Sequence, residues 1–95
     1  MPYTVAVTWT AKDGEEDAVA AALERLREPT LAEEGVVAWM PYRDPADPRV
    51  FFIFEQYADA DAYTAHTETA HFKRDGIGDA IPRLAERERA FYEPL

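Results

Sequence analysis

The chain has 95 residues, of which 47% are hydrophobic and 31% charged, a composition that predicts one folded domain over residues 1–95. Its net charge of −9 disfavours nucleic acid and anionic membranes as partners, because such a surface repels phosphate. The sequence contains no cysteine, serine or asparagine, which excludes disulfides, thiolate metal sites, serine or cysteine nucleophiles and N-glycosylation. Two histidines, five tyrosines and the carboxylates remain for proton chemistry.

Targeting signals are not evident in the sequence. No apolar stretch approaches the roughly 20 residues needed to cross a bilayer, so we expect no membrane association. The first residues lack the basic and apolar segments of a signal peptide. Together with the absence of cysteine, this predicts a cytoplasmic protein.

The N-terminal part of the chain predicts a strand followed by a helix. Residues 3–10 alternate between large apolar side chains and Thr or Ala, which is the period of a strand with one filled face. Asp13 is expected to cap the helix, with Glu16 at the capping-box offset, and apolar residues recur at helical spacing over residues 19–26. Pro29 is expected to end or bend this helix.

The rest of the chain predicts a hairpin, a second helix and a last strand. Residues 36–42 and 50–57 are apolar on both faces and flank a Pro- and Asp-rich loop. Asp59 is expected to cap a helix that reaches Ala70, and a short helical piece interrupted by Pro82 is expected near residues 80–81. Residues 87–93 predict a last strand, although residues 84–89 are also compatible with a helix.

This order of elements, β-α-β-β-α-β, predicts an α+β fold of the ferredoxin-like type. Its four-stranded antiparallel sheet carries both helices on one face. The two central strand segments of the sequence, residues 36–42 and 50–57, are apolar on both sides, so a monomer would leave a row of large apolar side chains in water. Packing of two sheets against each other would remove that exposure, which predicts a homodimer.

His66 and Glu55 are the candidate catalytic residues. On the second helix His66 shares a face with Ala62 and Tyr63 and is expected to point toward the sheet, where an imidazole can accept a proton near neutral pH. The alternative is a core histidine satisfied by a backbone carbonyl or by Glu55. Glu55 interrupts an apolar strand and needs a partner, either as a buried hydrogen-bond or ion-pair member or as the group that orients His66.

A metal or nucleotide site is not predicted. His71 follows His66 by five positions, about 140° around an ideal helix, so the two rings are not expected to share a face as zinc ligands do. His71 and Phe72 are instead expected to lie at the mouth of a pocket. The four glycines are scattered, so the sequence lacks the phosphate-binding fingerprints of nucleotides and flavins. The many aromatic residues favour a pocket for a flat aromatic ligand.

Several short motifs, in this order and spacing, resemble the antibiotic biosynthesis monooxygenase (ABM) domain over essentially the whole chain. They are the run from Phe54 to Asp59, Ala62-Tyr63, Ala65-His66 and Thr69-Ala70-His71-Phe72, with Glu34-Gly35, Asp47-Pro48 and the ending Glu93-Pro94-Leu95 as supporting marks.

The resemblance implies a dimeric α/β barrel of ferredoxin-like subunits that uses molecular oxygen without a metal or flavin. A base removes a phenolic or enolic proton, and the resulting anion passes an electron to oxygen. His66 matches the family's helix histidine and Glu55 its strand glutamate. Phe72 matches the family's pocket aromatic, and Tyr57 stands where many members have tryptophan. Together with Trp39, Tyr63 and His71 they are the candidate substrate-binding residues. Some anthrone oxygenases and the haem-degrading branch of the family rely on asparagine, which this sequence lacks. The haem-degrading branch also has tryptophan roughly where His66 stands. Both subtypes are therefore disfavoured.

The sequence therefore predicts a cofactor-independent monooxygenase that oxidises a hydroquinone, an anthrone or a related polycyclic phenol with molecular oxygen. Two alternatives remain open. One is a non-redox isomerase or tautomerase of a small hydroxy-ketone that uses the same base, and the other is a non-catalytic small-molecule-binding dimer of the same fold.

Overall fold

A computed structural model of the protein describes residues 2–95 and confirms the ferredoxin-like β-α-β-β-α-β arrangement. Before the last strand, the short 3₁₀ helix lies where a short helical piece is expected near residues 80–81, whereas the π-helix that precedes it is not expected from the sequence. The elements are β1 (Tyr3–Ala11), α1 (Glu16–Leu31), β2 (Val36–Arg43), β3 (Val50–Tyr57), α2 (Ala60–Thr67), the π-helix (Phe72–Ala80), the 3₁₀ helix (Ile81–Arg83) and β4 (Leu84–Tyr92).

The strands form one antiparallel sheet in the order β2-β3-β1-β4. Of the two segments expected to be central, only β3 is, because β2 lies at one edge and β1 takes the second central place. β4 forms the other edge and begins at Leu84, three residues before the predicted start. A helix over residues 84–89, the alternative that the sequence left open, is therefore excluded.

One face of the sheet is covered by the helices and holds the core. Alternation along β1 points Val5, Val7 and Trp9 toward the helices, opposite Glu55, Ile53 and Phe51 of β3. On α1 the apolar stripe predicted from the sequence is buried against this face. The core residues with least exposure are Val5, Ala11, Val19, Ala22, Leu26, Ile53, Tyr57 and Ala80.

The opposite face of the sheet is covered by no element of residues 2–95. It exposes large apolar side chains from three strands: Tyr42 is 52% exposed, Phe52 40% and Tyr92 58%. The rings of Tyr42 and Phe52 pack together across β2 and β3 with centroids 6.2 Å apart. This uncovered face is the one that the sequence predicts for dimerisation.

The start of α1 differs from the prediction. Asp13 does not cap it, because Gly14 turns the chain with a φ of +82° and Glu15 takes the N-cap position without a side-chain hydrogen bond. Pro29 lies inside the last turn, and the helix continues to Leu31. None of the helices within residues 2–95 is long and apolar enough to cross a membrane.

The second helix begins as predicted and ends earlier. Asp59 caps α2, its carboxylate accepting from the Ala62 N–H at 2.8 Å. The expected continuation to Ala70 is wrong, because threonine hydroxyls compete for the helix backbone. Thr69 Oγ1 donates to the His66 carbonyl at 2.8 Å and accepts from the Phe72 N–H at 3.2 Å. Thr69 therefore closes one helical segment and caps the next, which changes the direction of the chain between His66 and His71.

The π-helix is fixed to α1 by ion pairs. Arg25 of α1 reaches Asp75 at 3.3 Å and Asp79 at 2.6 Å, and Arg83 joins Asp79 to Glu15. Asp75 is 4% exposed, and the hydrogen bond from Arg74 holds the pKa of its carboxyl below the ordinary value. These contacts place the segment that carries Phe72 and Ile77 above the sheet.

Gly35 lets the turn before β2 touch α2. A Cβ atom on Gly35 would collide with the Ala62 side chain, and the Gly35 carbonyl accepts from the Ala58 N–H at 2.8 Å. This close approach positions the turn after α1, and with it Glu33, next to α2.

Candidate functional site

A cavity of about 630 Å³ lies between the α2–π-helix segment and strands β1, β3 and β4. This volume falls within the usual range for small-molecule sites. Its wall is mixed, with six apolar or aromatic residues and seven polar or charged ones. The lining residues are Val7, Trp9, Glu55, Tyr63, Thr64, His66, Thr67, Phe72, Ile77, Ile81, Arg87, Glu88 and Arg89.

His66 stands in the cavity wall, packed between aromatic rings. It is 3% exposed, and its ring centroid lies 5.0 Å from that of Phe72 and 5.7 Å from that of Tyr57. The sequence prediction that His66 faces inward from α2 is confirmed.

Glu33, which the sequence analysis did not single out, orients the His66 ring. His66 Nδ1 lies 2.8 Å from Glu33 Oε2. An ionised carboxylate can only accept a hydrogen bond, so Nδ1 carries the proton of the neutral ring. The other nitrogen, Nε2, has no hydrogen-bond partner among residues 2–95 and is left with its lone pair for the cavity. Neither partner considered from the sequence, a backbone carbonyl or Glu55, has this role.

His71 binds the same carboxylate oxygen. Its Nε2 lies 2.7 Å from Glu33 Oε2, and the two imidazole centroids are 6.3 Å apart. The expectation that the two histidines diverge is wrong, because it assumed one continuous helix and the chain turns at Thr69. His71 thus holds Glu33 through the same oxygen as His66 and does not line the cavity.

The three side chains form the kind of donor set that holds divalent metal ions. One ligand atom from each of Glu33, His66 and His71 lies within 4.8 Å of the others. The carboxylate oxygen is, however, at 2.7–2.8 Å from each nitrogen, whereas two ligands of a tetrahedral zinc ion lie about 3.3 Å apart. The cluster therefore has hydrogen-bonding geometry, and the ligands would have to separate by about half an ångström to admit a metal.

The protonation state of His66 follows from its surroundings. Burial lowers the pKa of His66 below the usual value, and the hydrogen bond and negative charge of Glu33 oppose that effect only in part. The imidazole is therefore neutral at pH 7, which is the form required of a general base.

Glu55 lies in the cavity wall but does not touch His66. Its Oε1 accepts the Tyr57 hydroxyl at 2.5 Å, two residues along the same face of β3. Burial raises the pKa of Glu55 to about 7, and the hydrogen bond from Tyr57 acts against that rise. The role of orienting His66, one of the two considered from the sequence, thus belongs to Glu33.

The predicted substrate-binding residues divide into two groups. Tyr63 and Phe72 line the cavity, whereas Trp39, Tyr57 and His71 do not. Trp39 is 4% exposed and belongs to the core on the edge strand β2, and Tyr57 is fully buried with its hydroxyl donating to Glu55.

Two arginines of β4 were also missed. Arg87 and Arg89 line the cavity, and Arg89 Nη1 donates to the Tyr63 hydroxyl at 2.7 Å. The signal was present in the sequence, because Arg at every second position of a strand places both side chains on one face.

The raised pKa of Glu55 predicts how stability depends on pH. Between about pH 4.5 and 7 the folded protein keeps a proton that the unfolded chain has released, so the free energy of unfolding falls as pH rises through this range. The Glu55→Gln variant lacks this fall. Denaturant titration at pH 4.5 and 8 should show that the wild type loses about 3 kcal/mol more than the variant. Glu24→Gln, at an exposed position of α1, should behave like the wild type. Parallel pH profiles for wild type and Glu55→Gln would show that Glu55 ionises normally.

Comparison with known proteins agrees with this fold. Residues 2–74 match the family model described as antibiotic biosynthesis monooxygenase. No curated protein matches the chain.

Solved structures resemble the protein over nearly its whole length. PA3566 from Pseudomonas aeruginosa is 30% identical, with a TM-score of 0.91 over 99% of this chain and 94% of that one. A protein from Nitrosomonas europaea, provisionally described as an antibiotic biosynthesis monooxygenase, is 25% identical, with a TM-score of 0.92 over 99% and 90%. Rv0793 from Mycobacterium tuberculosis, at 21% identity, shares the fold with a TM-score of 0.91 over 100% and 96%. With the family model spanning more than half of its residues, the chain belongs to the antibiotic biosynthesis monooxygenase family.

Proposed function

We propose that the protein is a cofactor-independent monooxygenase that oxidises a hydroquinone, an anthrone or a related polycyclic phenol with molecular oxygen. The observation that carries this proposal is the orientation of His66. Glu33 holds its Nδ1, and its Nε2 remains unpaired in a cavity of about 630 Å³. A base inside a cavity of this size argues against a purely non-catalytic binding protein.

The first step is proton transfer from the substrate to His66. Nε2 accepts the phenolic or enolic proton, and the ring becomes an imidazolium. Glu33 stabilises this cation, because its carboxylate already accepts the Nδ1 proton at 2.8 Å. His71 keeps the carboxylate in place through the second hydrogen bond to the same oxygen.

The electron-rich anion then reacts with oxygen directly. One electron passes to O₂, the two radicals combine at a ring carbon, and a peroxide forms. The imidazolium returns its proton as the O–O bond breaks, so that one oxygen atom stays on the carbon as a carbonyl and the other leaves as water. For an anthrone the balance is one anthrone and one O₂ in, one anthraquinone and one water out.

The cavity wall suits a flat aromatic substrate. Phe72 and Tyr63 offer ring faces, and Trp9 and Val7 form an apolar floor from β1. These apolar residues limit the contact of the anion with water on their side of the cavity and so its reprotonation.

We further propose that two copies of the chain pair through the uncovered face of the sheet, inside the cytoplasm. Tyr42, Phe52 and Tyr92 expose ring surface there, and a second copy offers the same apolar surface in return. The members of this family are typically homodimers that bind small molecules.

Replacement of the proposed base tests the function. In His66→Gln the rate of oxygen uptake with anthrone and with menadiol should fall roughly 10²- to 10⁴-fold in kcat/KM, because the general base is lost. Thr64→Val is the matched control, since Thr64 lines the same cavity from the same helix, and it should keep most of the activity.

The pH dependence of the wild type is a second test of His66. In the wild type kcat/KM should decline only as pH falls below the ordinary histidine pKa, because burial lowers the pKa of His66.

Two outcomes would contradict this account. Equal rates for wild type and His66→Gln would remove His66 from the mechanism. Turnover of a hydroxy-ketone under anaerobic conditions, with no oxygen uptake from any phenol, would establish the isomerase alternative instead.

The mass in solution tests the dimer. Light scattering at micromolar concentration should give twice the mass of one chain, and Phe52→Arg should shift it toward one chain by placing a charge in the apolar face. Leu31→Arg is the control, because Leu31 is equally apolar and 48% exposed but lies at the end of α1. A wild-type mass of one chain would contradict the dimer.

A further inference from the structure

The edge strand β4 directs two positive charges at the cavity. Arg87 pairs in register with Trp9 and Arg89 with Val7, whose side chains form the cavity floor. Alternation along the strand therefore puts both guanidinium groups on the helix-covered face, with their Cα atoms about 7 Å apart.

In this chain, Arg87 and Arg89 line the cavity without a carboxylate partner, and among residues 2–95 they share that lack of a partner with Arg27, which is exposed on α1 outside the cavity. Five of its eight arginines form ion pairs with carboxylates: Arg25, Arg43, Arg49, Arg74 and Arg83. Within residues 2–95, Arg87 has no such partner, and Arg89 donates only to the neutral Tyr63 hydroxyl. The chain has 19 acidic residues against 10 basic ones, so partners for these two cations are not scarce.

The acidic residues of the cavity do not neutralise the pair. Glu55 accepts the Tyr57 hydroxyl, and burial raises its pKa to about 7, so at neutral pH it carries only part of a charge. Glu88 borders the cavity at the edge strand, but it pairs with Thr8 in the register, so alternation puts its side chain on the face of the sheet opposite to Arg87 and Arg89. The cavity of this acidic protein thus has a positive wall at β4.

We propose that Arg87 and Arg89 form an anion subsite that binds a carboxylate carried by the aromatic substrate. The identification of the rest of the ligand as an oxidisable ring rests on the function proposed above. A planar carboxylate matches the planar fork of a guanidinium group, which donates two parallel hydrogen bonds. The chain has no glycine-rich loop to cradle a phosphate with backbone N–H groups, which favours the carboxylate.

The subsite would also orient the ring. His66 projects from α2 on one side of the cavity, and the arginines project from β4 at the edge of the sheet. A ligand held by its carboxylate at β4 presents its opposite end, with the reacting hydroxyl, toward His66 Nε2.

Direct binding of two naphthalene compounds, one with a negative charge and one without, tests the subsite without any catalysed reaction. Calorimetric titration should show that the wild type binds 2-naphthoate roughly ten- to a hundredfold more tightly than 2-naphthamide, which has the same shape without the charge. Arg87→Gln and Arg89→Gln should each lose most of this preference while their affinity for the amide stays the same. Arg27→Gln, at an exposed position of α1 outside the cavity, should keep the preference of the wild type.

The other outcomes are equally definite. Equal affinity of the wild type for the two probes, or equal loss in Arg27→Gln, would overturn the subsite. Tighter binding of 2-naphthyl phosphate than of 2-naphthoate would overturn the choice of carboxylate.

Oxygen uptake with 1,4-dihydroxy-2-naphthoate and with menadiol separates the anion subsite from the proposed monooxygenase function. Arginine-dependent binding of naphthoate with uptake from neither compound would contradict only the monooxygenase function, whereas uptake from both with no preference between the probes would contradict only the subsite.

Discussion

One carboxylate oxygen, Glu33 Oε2, determines how the candidate site is arranged. It accepts hydrogen bonds from His66 Nδ1 at 2.8 Å and His71 Nε2 at 2.7 Å. These contacts join the turn after α1 to both helical segments that follow β3. Because the carboxylate accepts the Nδ1 proton, the neutral His66 ring turns its basic nitrogen to the cavity. Without Glu33, His66 would be a buried imidazole with no defined tautomer.

Several features of the fold serve this contact. Gly35 leaves room for Ala62, which brings the Glu33 turn against α2. Thr69 ends one helical segment and caps the next, and the change of direction brings His71 to the same oxygen as His66. The ion pairs of Arg25 with Asp75 and Asp79 hold the π-helix to α1 and so fix Phe72 beside His66. The electrostatics of the cavity follow from burial: His66 and much of Glu55 are neutral at pH 7, while the arginines of β4 keep their charge.

The sequence predicted the fold well, because its strands and helices follow simple periods. Alternation over residues 3–10 and the cap at Asp59 depend only on near neighbours in the chain, and both are confirmed. It also placed His66, Glu55, Tyr63 and Phe72 at the cavity. The partner of His66 could not be predicted in the same way, since Glu33 is 33 residues away and is brought near by a glycine contact. The predicted position of His71 was wrong because it assumed that α2 continues without interruption. Helical periodicity does not reveal that threonine hydroxyls donate to backbone carbonyls near the end of α2. These hydroxyls belong to Thr64, Thr67 and Thr69. Trp39 was predicted to bind substrate because it is aromatic. Its strand, β2, lies at the edge of the sheet opposite to β4, and Trp39 is buried in the core there.

The account depends most directly on which nitrogen of His66 carries the proton. Nitrogen-15 NMR of the imidazole rings at pH 7.5 resolves the two tautomers of each histidine. The hydrogen bond to Glu33 predicts that His66 is neutral, with the proton on Nδ1 and none on Nε2. A proton on Nε2, whether in the other tautomer or in an imidazolium, would contradict the account, because the nitrogen that faces the substrate could not then accept its proton.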